Sequence, residues 1–214
     1  MAVPDRKVQR ERLLDHFKTA YQIVIGVAIS IACTNLFADG VVKFPPDISF
    51  WTFCIFFITV MPIFHGGDRS LDLKYLQAET KSLSRLSYLW DFYALVITAI
   101  LFIKIAQAIP NPAPATGLAG PTPNTPEHFY GWMAAMFAFD VIVLIIDGIK
   151  SWLFKIYGKW IVLNLALATV CLLAAWQASI WPSLSVNWTG AIVFGFAFLR
   201  TILDYVFGHE FMFP

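Results

Sequence analysis

The sequence predicts an all-α membrane protein, a polytopic bundle of about six transmembrane helices with both termini cytoplasmic. The first observation behind this prediction is composition: of 214 residues, 58% are hydrophobic and only 14% are charged. Soluble domains carry about a quarter charged residues, so this composition is typical of a membrane protein. The second observation is a set of long apolar runs, which must be helical in lipid because their backbone amides find no water there.

A spanning helix needs roughly 20 apolar residues, because the hydrocarbon core of a bilayer is about 30 Å thick. The segments of this kind are approximately Phe17–Ala38, Ile48–Phe64, Tyr88–Ile109, Phe129–Lys150, Trp160–Trp181 and Trp188–Phe207. Pro62, near the end of the second and shortest segment, is expected to kink or end that helix. Residues 1–16 are interpreted as a charged amphipathic lead-in rather than a signal peptide, residues 17–208 as the membrane domain, and residues 209–214 as a short cytoplasmic tail.

The distribution of Lys and Arg predicts the orientation of these spans. Basic residues are concentrated in the N-terminal segment and in the second and fourth connections, whereas the first connection has only Lys43 and the third and fifth have none. Cytoplasmic loops are enriched in Lys and Arg, so the alternation places both termini in the cytoplasm. Most tryptophans lie near predicted span ends, which is typical of residues that anchor helices at the membrane surface.

The connections differ in character. Leucines at helical spacing between Leu71 and Ser87 predict an interfacial amphipathic helix that leads from the second span into the third. The proline-rich, uncharged stretch Pro110–Glu127 is expected to be an extended outer loop. No internal repeat of the kind found in inverted-repeat transporters is visible, which weakens that class.

Charge and cysteine content argue against nucleic-acid binding, disulfides and a cysteine zinc site. The formal net charge is +1, which gives no reason to expect nucleic acid as a partner. Cys33, Cys54 and Cys171 lie inside apolar runs without paired spacing, so neither a disulfide framework nor a CxxC zinc site is predicted. The lipid bilayer is the expected environment, and the bacterial inner (plasma) membrane is the expected location.

Four ionisable residues in the fourth and sixth spans form the first candidate site. Asp140 lies near the middle of span four, where a charged residue costs about 2.5–3.5 kcal/mol on insertion. Asp147 follows two helical turns later, and Arg200 and Asp204 stack on one face of span six. We expect these residues to form a buried polar cluster, which is either an ion pair that locks helices together or a pathway for protons or ions.

The stretch "PIFHGGDRSLD" suggests a second candidate site at the cytoplasmic end of span two. Gly66 and Gly67 are expected to release the backbone after Pro62, so that the chain can turn sharply. Polar residues at a similar depth then predict a cytoplasmic vestibule. Its expected members are His65, Asp68, Arg69, Asp72, Asp91 and His209.

Three functions are compatible with these residues. The favoured one is a small channel or transporter for protons or small ions, with a vestibule that faces the cytoplasm. The first alternative is a non-catalytic membrane subunit in which the polar cluster is an assembly lock, and the second is an enzyme that modifies lipid headgroups. Six spans barely enclose a pore, so we expect a homo-oligomer or a partner in a membrane complex.

An enzyme is the less favoured class, because the Walker A, GxSxG and HExxH motifs are absent. His65 and His209 could together ligate a metal or haem. They lack a close H-x-x-x-H spacing, however, so the sequence predicts no metal site and leaves the cofactor open.

Overall fold

The computed structural model describes residues 6–37, 46–75, 85–110, 125–151 and 154–208. In these ranges the secondary structure is helical, with no strand. The helices are α1 (Arg6–Leu36), α2 (Ile48–Tyr75), α3 (Arg85–Gln107), α4 (Pro126–Ser151), α5 (Phe154–Ala175), α6 (Gln177–Ile180) and α7 (Val186–Phe207). All but the short α6 are long and apolar enough to cross a membrane, which confirms the predicted class of six spans.

Several helix ends differ from the prediction. The lead-in segment is continuous with the first span, because α1 already begins at Arg6. The fifth span ends at Ala175 and not at Trp181, and the short α6 follows it. An even number of spans returns the chain to the side on which it started. We call this side, where α1 begins and α7 ends, the terminal side of the bundle.

Pro62 was expected to kink or end the second helix, and the structure contradicts the helix end: α2 continues through both glycines to Tyr75. A proline lacks the N–H that would bond to the carbonyl four residues earlier, which here belongs to Ile58. The hydroxyl of Thr201 on α7 donates to this carbonyl at 3.1 Å, so the missing helical hydrogen bond is replaced by a bond between helices.

This continuous α2 also corrects the predicted interfacial helix. Residues 71–75 are the last turn of α2, residues 85–87 are the first turn of α3, and residues 76–84 lie outside the described residues. The polar end of α2 stays helical because neighbouring helices supply partners for its charges. Lys18 of α1 pairs with Asp68 and Asp72, and Lys74 pairs with acidic residues of α3 and α4.

The long helices form a closed ring in the order α1, α2, α7, α5, α4 and α3, and α2 also contacts α3 and α4 across the ring. The hydrophobic core fills the half of this ring opposite the terminal side. Its largest fully buried side chains include Phe56, Phe102, Phe129 and Phe137. In lipid, helices associate through close packing of such side chains, so this half of the bundle is its most tightly packed part.

Small residues allow two of these helices to approach closely. A Cβ atom added to Gly190 of α7 would lie 2.8 Å from the Cβ atom of Trp51 on α2. A Cβ atom added to Gly195, five residues further along α7, would meet no atom within 4 Å. The backbones of α2 and α7 are therefore in close contact in the half of the bundle opposite the terminal side.

We expect Gly190→Ala to lower the melting temperature of the detergent-solubilised protein relative to Gly195→Ala. Overpacking a close contact costs about 1–3 kcal/mol, and both variants share the gain in helix propensity of up to about 1 kcal/mol. Gly195→Ala is therefore the matched control. Equal melting temperatures for the two variants would show that α2 and α7 do not pack as closely as described.

The cytoplasmic orientation of the terminal side remains a prediction, and cysteine labelling tests it. In a background without the native cysteines, a cysteine at Lys81 is expected to resist a membrane-impermeant maleimide in intact cells, whereas one at Thr116 is expected to react. The reason is the concentration of Lys and Arg in the second connection. The opposite labelling pattern would reverse the orientation.

Candidate functional site

A cavity lies inside the helix ring, in its terminal half. It is walled mainly by α2, α3, α4, α5 and α7. The ionisable residues along its wall, tyrosines apart, are Lys74, Asp91, Asp140, Asp147, Arg200 and Asp204. Water-sized molecules have about 140 Å³ of room in it, several times the space that one water molecule needs. The cavity is therefore large enough for several waters or for one small solute.

The deepest polar residues form what we call the deep cluster: Asp140, Asn164, Arg200 and Asp204. Arg200 forms an ion pair with Asp204, one turn along α7, with 2.9 Å between Nη1 and Oδ2. Its Nη2 donates a hydrogen bond to Oδ1 of Asn164 at 2.9 Å. The amide nitrogen of Asn164 in turn donates to Oδ2 of Asp140 at 2.5 Å. An amide on α5 thus connects the guanidinium of α7 with the carboxyl group of α4.

The charges of the deep cluster do not balance. Arg200 and Asp204 are both buried, with side chains 6% and 5% exposed, and they neutralise each other. Asp140 is partly exposed, lines the cavity, and forms no ion pair with any described Lys or Arg. An isolated ionised carboxylate is costly inside a membrane, so Asp140 requires a proton, a cation or a moving counter-ion.

Arg200 keeps a donor to spare. Its Nε atom is buried and has no hydrogen-bond acceptor among the described residues. The guanidinium also lies 5.7 Å from the ring centroid of Phe137 on α4, a distance at which the ring face attracts a cation. Arg200 of α7 therefore faces Phe137 of α4, and its Nε can donate a hydrogen bond to an acceptor that enters the cavity.

A second group of charges, which we call the mouth cluster, lies nearer the terminal side: Lys74, Tyr75, Asp91 and Asp147. The ammonium group of Lys74 is 2.6 Å from Asp147 and 3.1 Å from Asp91. The hydroxyl of Tyr75 donates to the other oxygen of Asp91 at 2.6 Å. These contacts join the end of α2 to α3 and α4. The side chain of Lys74 is 28% exposed, so the cavity reaches solvent at this point.

Lys74 and Tyr75 of the mouth cluster keep their protons through the physiological range. Burial lowers the pKa of Lys74, but the attraction of Asp147 and Asp91 outweighs burial, so this pKa lies above its ordinary value. Burial and the hydrogen bond to Asp91 raise the pKa of Tyr75. Lys74 is thus a permanent cation and Tyr75 a permanent donor, which makes this cluster a fixed electrostatic contact between three helices.

The structure separates residues that the sequence placed together. Asp147 was expected near Arg200, but it binds Lys74 in the mouth cluster. The expected cluster left open whether Arg200 reaches Asp140, and in the structure the side chain of Asn164 on α5 connects the two. The reason is the order of the ring, in which α5 lies between α4 and α7.

The predicted vestibule residues are distributed over different faces of α2, because this segment is helical and not a turn. Asp68 and Asp72 bind Lys18 at 3.0 and 2.7 Å, away from the cavity. The ring of His65 lies 6.0 Å from that of Tyr205 on α7.

Neither His65 nor Arg69 lines the cavity, whereas Asp91 does. His209 lies outside the described residues. From the stretch "PIFHGGDRSLD", the residues on the cavity wall are Pro62, Ile63, Gly66, Gly67, Ser70 and Leu71. Of the predicted vestibule residues, Asp91 lines the cavity, whereas helical periodicity places His65, Asp68, Arg69 and Asp72 on other faces of α2.

Two residues of the site were not singled out from the sequence. Asn164 is the one amide side chain within α5, and amides in membrane helices commonly bond across to neighbouring helices. Lys74 contributed only to the orientation argument, because the helix was expected to end before it. The single amide in the apolar α5 was thus the signal that could have identified Asn164 as the hydrogen-bonded link between α4 and α7.

No family model, no curated protein and no solved structure matches this chain. The fold and the apolar spans define it as a multi-pass integral membrane protein. The site adds a polar cavity in one half of the bundle, with a packed apolar core in the other half.

Proposed function

We propose that the protein translocates protons, with Asp140 as the group that takes up and releases them. The observation that carries this proposal is the chain of contacts from Asp140 through Asn164 to the Arg200–Asp204 pair, at the bottom of a cavity that can hold water. Ionisable residues within membrane spans that face a cavity and pair with one another commonly mark proton pathways.

Arg200 supplies the counter-charge in this cycle. When Asp140 carries a proton, the guanidinium is neutralised by Asp204 alone. When the proton leaves, the new carboxylate attracts the guanidinium, which is one amide away and whose Nε has no acceptor among the described residues. The two states differ by one proton and by the partner of Arg200, which is the kind of two-state element that a pump or exchanger needs.

The apolar core favours a transporter over an open channel. Phe56, Phe102 and Phe137 are fully buried in the half opposite the terminal side. A continuous water path through these side chains would require them to move. A site that is open to one side and closed to the other corresponds to one state of an alternating-access cycle.

We infer that the cavity opens to the cytoplasm of a bacterial cell. The concentration of basic residues supports an orientation with the cavity open to the cytoplasm, and a bacterial inner membrane is the corresponding location. The exposed apolar surface of the six spans is compatible with contact between copies of this chain in the bilayer. The tyrosine and lysine of the mouth cluster then lie at the cytoplasmic surface.

Proton flux into liposomes tests the function. Purified protein is reconstituted around an internal pH-sensitive dye, and a pH gradient is imposed with valinomycin and potassium to compensate charge. We expect proton flux above that of protein-free liposomes. A flux equal to that of protein-free liposomes, with the protein shown to be inserted and folded, would reject the proposal.

We expect Asn164→Leu to reduce this flux by about tenfold or more, since each buried polar group left without its partner costs about 1–3 kcal/mol. The change removes the amide that connects Asp140 and Arg200 while it retains side-chain size. Asn187→Leu, the same substitution at an exposed position near the start of α7, is the control. Wild-type flux in Asn164→Leu would show that the amide bridge has no role in transport.

A further inference from the structure

The composition of the cavity wall suggests a second substrate. Aromatic side chains from two helices line the same cavity as the carboxylates: Tyr21 from α1, and Tyr157 and Trp160 from α5. All three are buried, with 7% or 8% of each residue exposed. Aromatic faces next to carboxylates attract organic cations, because the negative face of each ring binds positive charge without hydrogen bonds.

The charge of the cavity agrees with a cationic ligand. Its wall carries four carboxyl groups and two basic residues, so the net charge is 2 − 4 = −2 when all are ionised. Both basic residues already have acidic partners, Lys74 in the mouth cluster and Arg200 in the deep cluster. Among the carboxyl groups of the wall, Asp140 forms no ion pair with a described Lys or Arg. A positively charged ligand would therefore neutralise Asp140.

The apolar character of the rest of the wall favours an organic over an inorganic cation. Ca²⁺ and Mg²⁺ are coordinated by about six or more oxygen ligands, and among the described residues no three His, Cys, Asp or Glu side chains come together as metal ligands. Ile63, Leu95 and Val143 instead present alkyl surface to the cavity. Methyl and methylene groups of an ammonium ion pack well against such side chains, whereas a hydrated metal ion does not.

We propose that the cavity binds a small organic ammonium ion in exchange for the proton on Asp140, an inference that rests on the proton translocation proposed above. The exchange is balanced: the carboxylic acid releases one proton to the cytoplasm, and the carboxylate then neutralises one ammonium charge. The available room of about 140 Å³ limits the ligand to a few heavy atoms. Tyr21 and the aromatic pair on α5 hold its apolar groups.

Proton release on binding tests this exchange directly. Tetramethylammonium chloride is added to the detergent-solubilised protein in weakly buffered solution, and the pH change is compared with that caused by sodium chloride at the same concentration. We expect tetramethylammonium to release protons in a saturable manner and sodium to release none. The Asp140→Asn variant, which has no proton to exchange, is expected to show no release.

The aromatic wall has its own test. Tyr21→Leu is expected to weaken tetramethylammonium binding about tenfold, whereas Tyr21→Phe, which keeps the ring, is expected to bind like the wild type. Equal weakening in both variants would show that the hydroxyl matters and not the ring face, and equal release by sodium would show a site for any monovalent cation. Either result overturns the organic-cation assignment.

Flux measurements separate this inference from the function on which it rests. In liposomes, a concentration gradient of tetramethylammonium is expected to drive protons in the direction opposite to that in which tetramethylammonium itself moves. Proton flux without any response to tetramethylammonium would reject the organic substrate and leave proton translocation standing. Proton release in detergent without flux in liposomes would reject translocation and leave a binding site for organic ammonium ions.

Discussion

Asp140→Asn is expected to reduce proton flux by about 100-fold or more, which is the contribution that a positioned proton-transfer group typically makes. Asparagine has nearly the same shape as aspartate and can still accept the hydrogen bond from Asn164, but it cannot carry a proton. The Arg200–Asp204 pair remains neutral beside it. The variant should therefore fold and insert normally while it loses transport, and both properties are measured on the same liposome preparation.

Asp15→Asn is the control for this substitution, because Asp15 is exposed on α1 and does not line the cavity. Its flux should equal that of the wild type. The same comparison separates transport from an assembly lock. If the cluster only holds helices together, Asp140→Asn would change the melting temperature or the oligomeric state, and the flux would remain.

Arg200→Gln is expected to have the largest effect on stability of any substitution in the site. It leaves Asp204 as an unpaired, buried carboxylate and removes the donor to Asn164. Removing one partner of a buried ion pair costs about 3–5 kcal/mol. The measurement is thermal unfolding in detergent, where a pronounced fall in melting temperature is expected.

The double variant Arg200→Gln with Asp204→Asn provides the decisive comparison. It removes both charges, so it should recover much of the lost stability while it remains inactive, because no counter-charge is left for Asp140. Lys104→Gln removes an exposed cation from α3 and is the control for loss of a basic residue. An unchanged melting temperature in Arg200→Gln would mean that the pair does not hold α7 in place.

The position of a residue along its helix could be predicted from the sequence, whereas the neighbouring helix that its side chain faces could not. Apolar run length defines how far along each helix a residue lies, so the positions of Asp140 near the middle of α4 and of Arg200 within α7 could be predicted by counting residues. Which helices become neighbours depends on side-chain packing around the whole ring, and a single sequence does not encode this visibly. For that reason Asn164, which reaches both residues from α5, was missed.

The same limit explains the error in α2. Proline and two glycines are local signals for a helix end, and in water they would dominate. Here the tertiary contacts of Asp68, Asp72 and Lys74 stabilise the helical continuation. Once the segment is helical, some of its residues face the cavity and others face away from it. Lys74 therefore contacts the cavity side, whereas Asp68 and Asp72 contact Lys18 of α1.

The hydrogen bond from Thr201 to the carbonyl of Ile58 has a mechanical consequence. Bending of α2 at Pro62 would break no backbone bond from residue 62 to Ile58, since the proline has no N–H to form one. On the other side of Pro62, close packing of Trp51 on Gly190 clamps the helix to α7. Movement of the segment that carries Lys74 about Pro62 would therefore have to break the ion pairs of Lys74 with Asp91 and Asp147 and those of Lys18 with Asp68 and Asp72, where the cavity meets solvent.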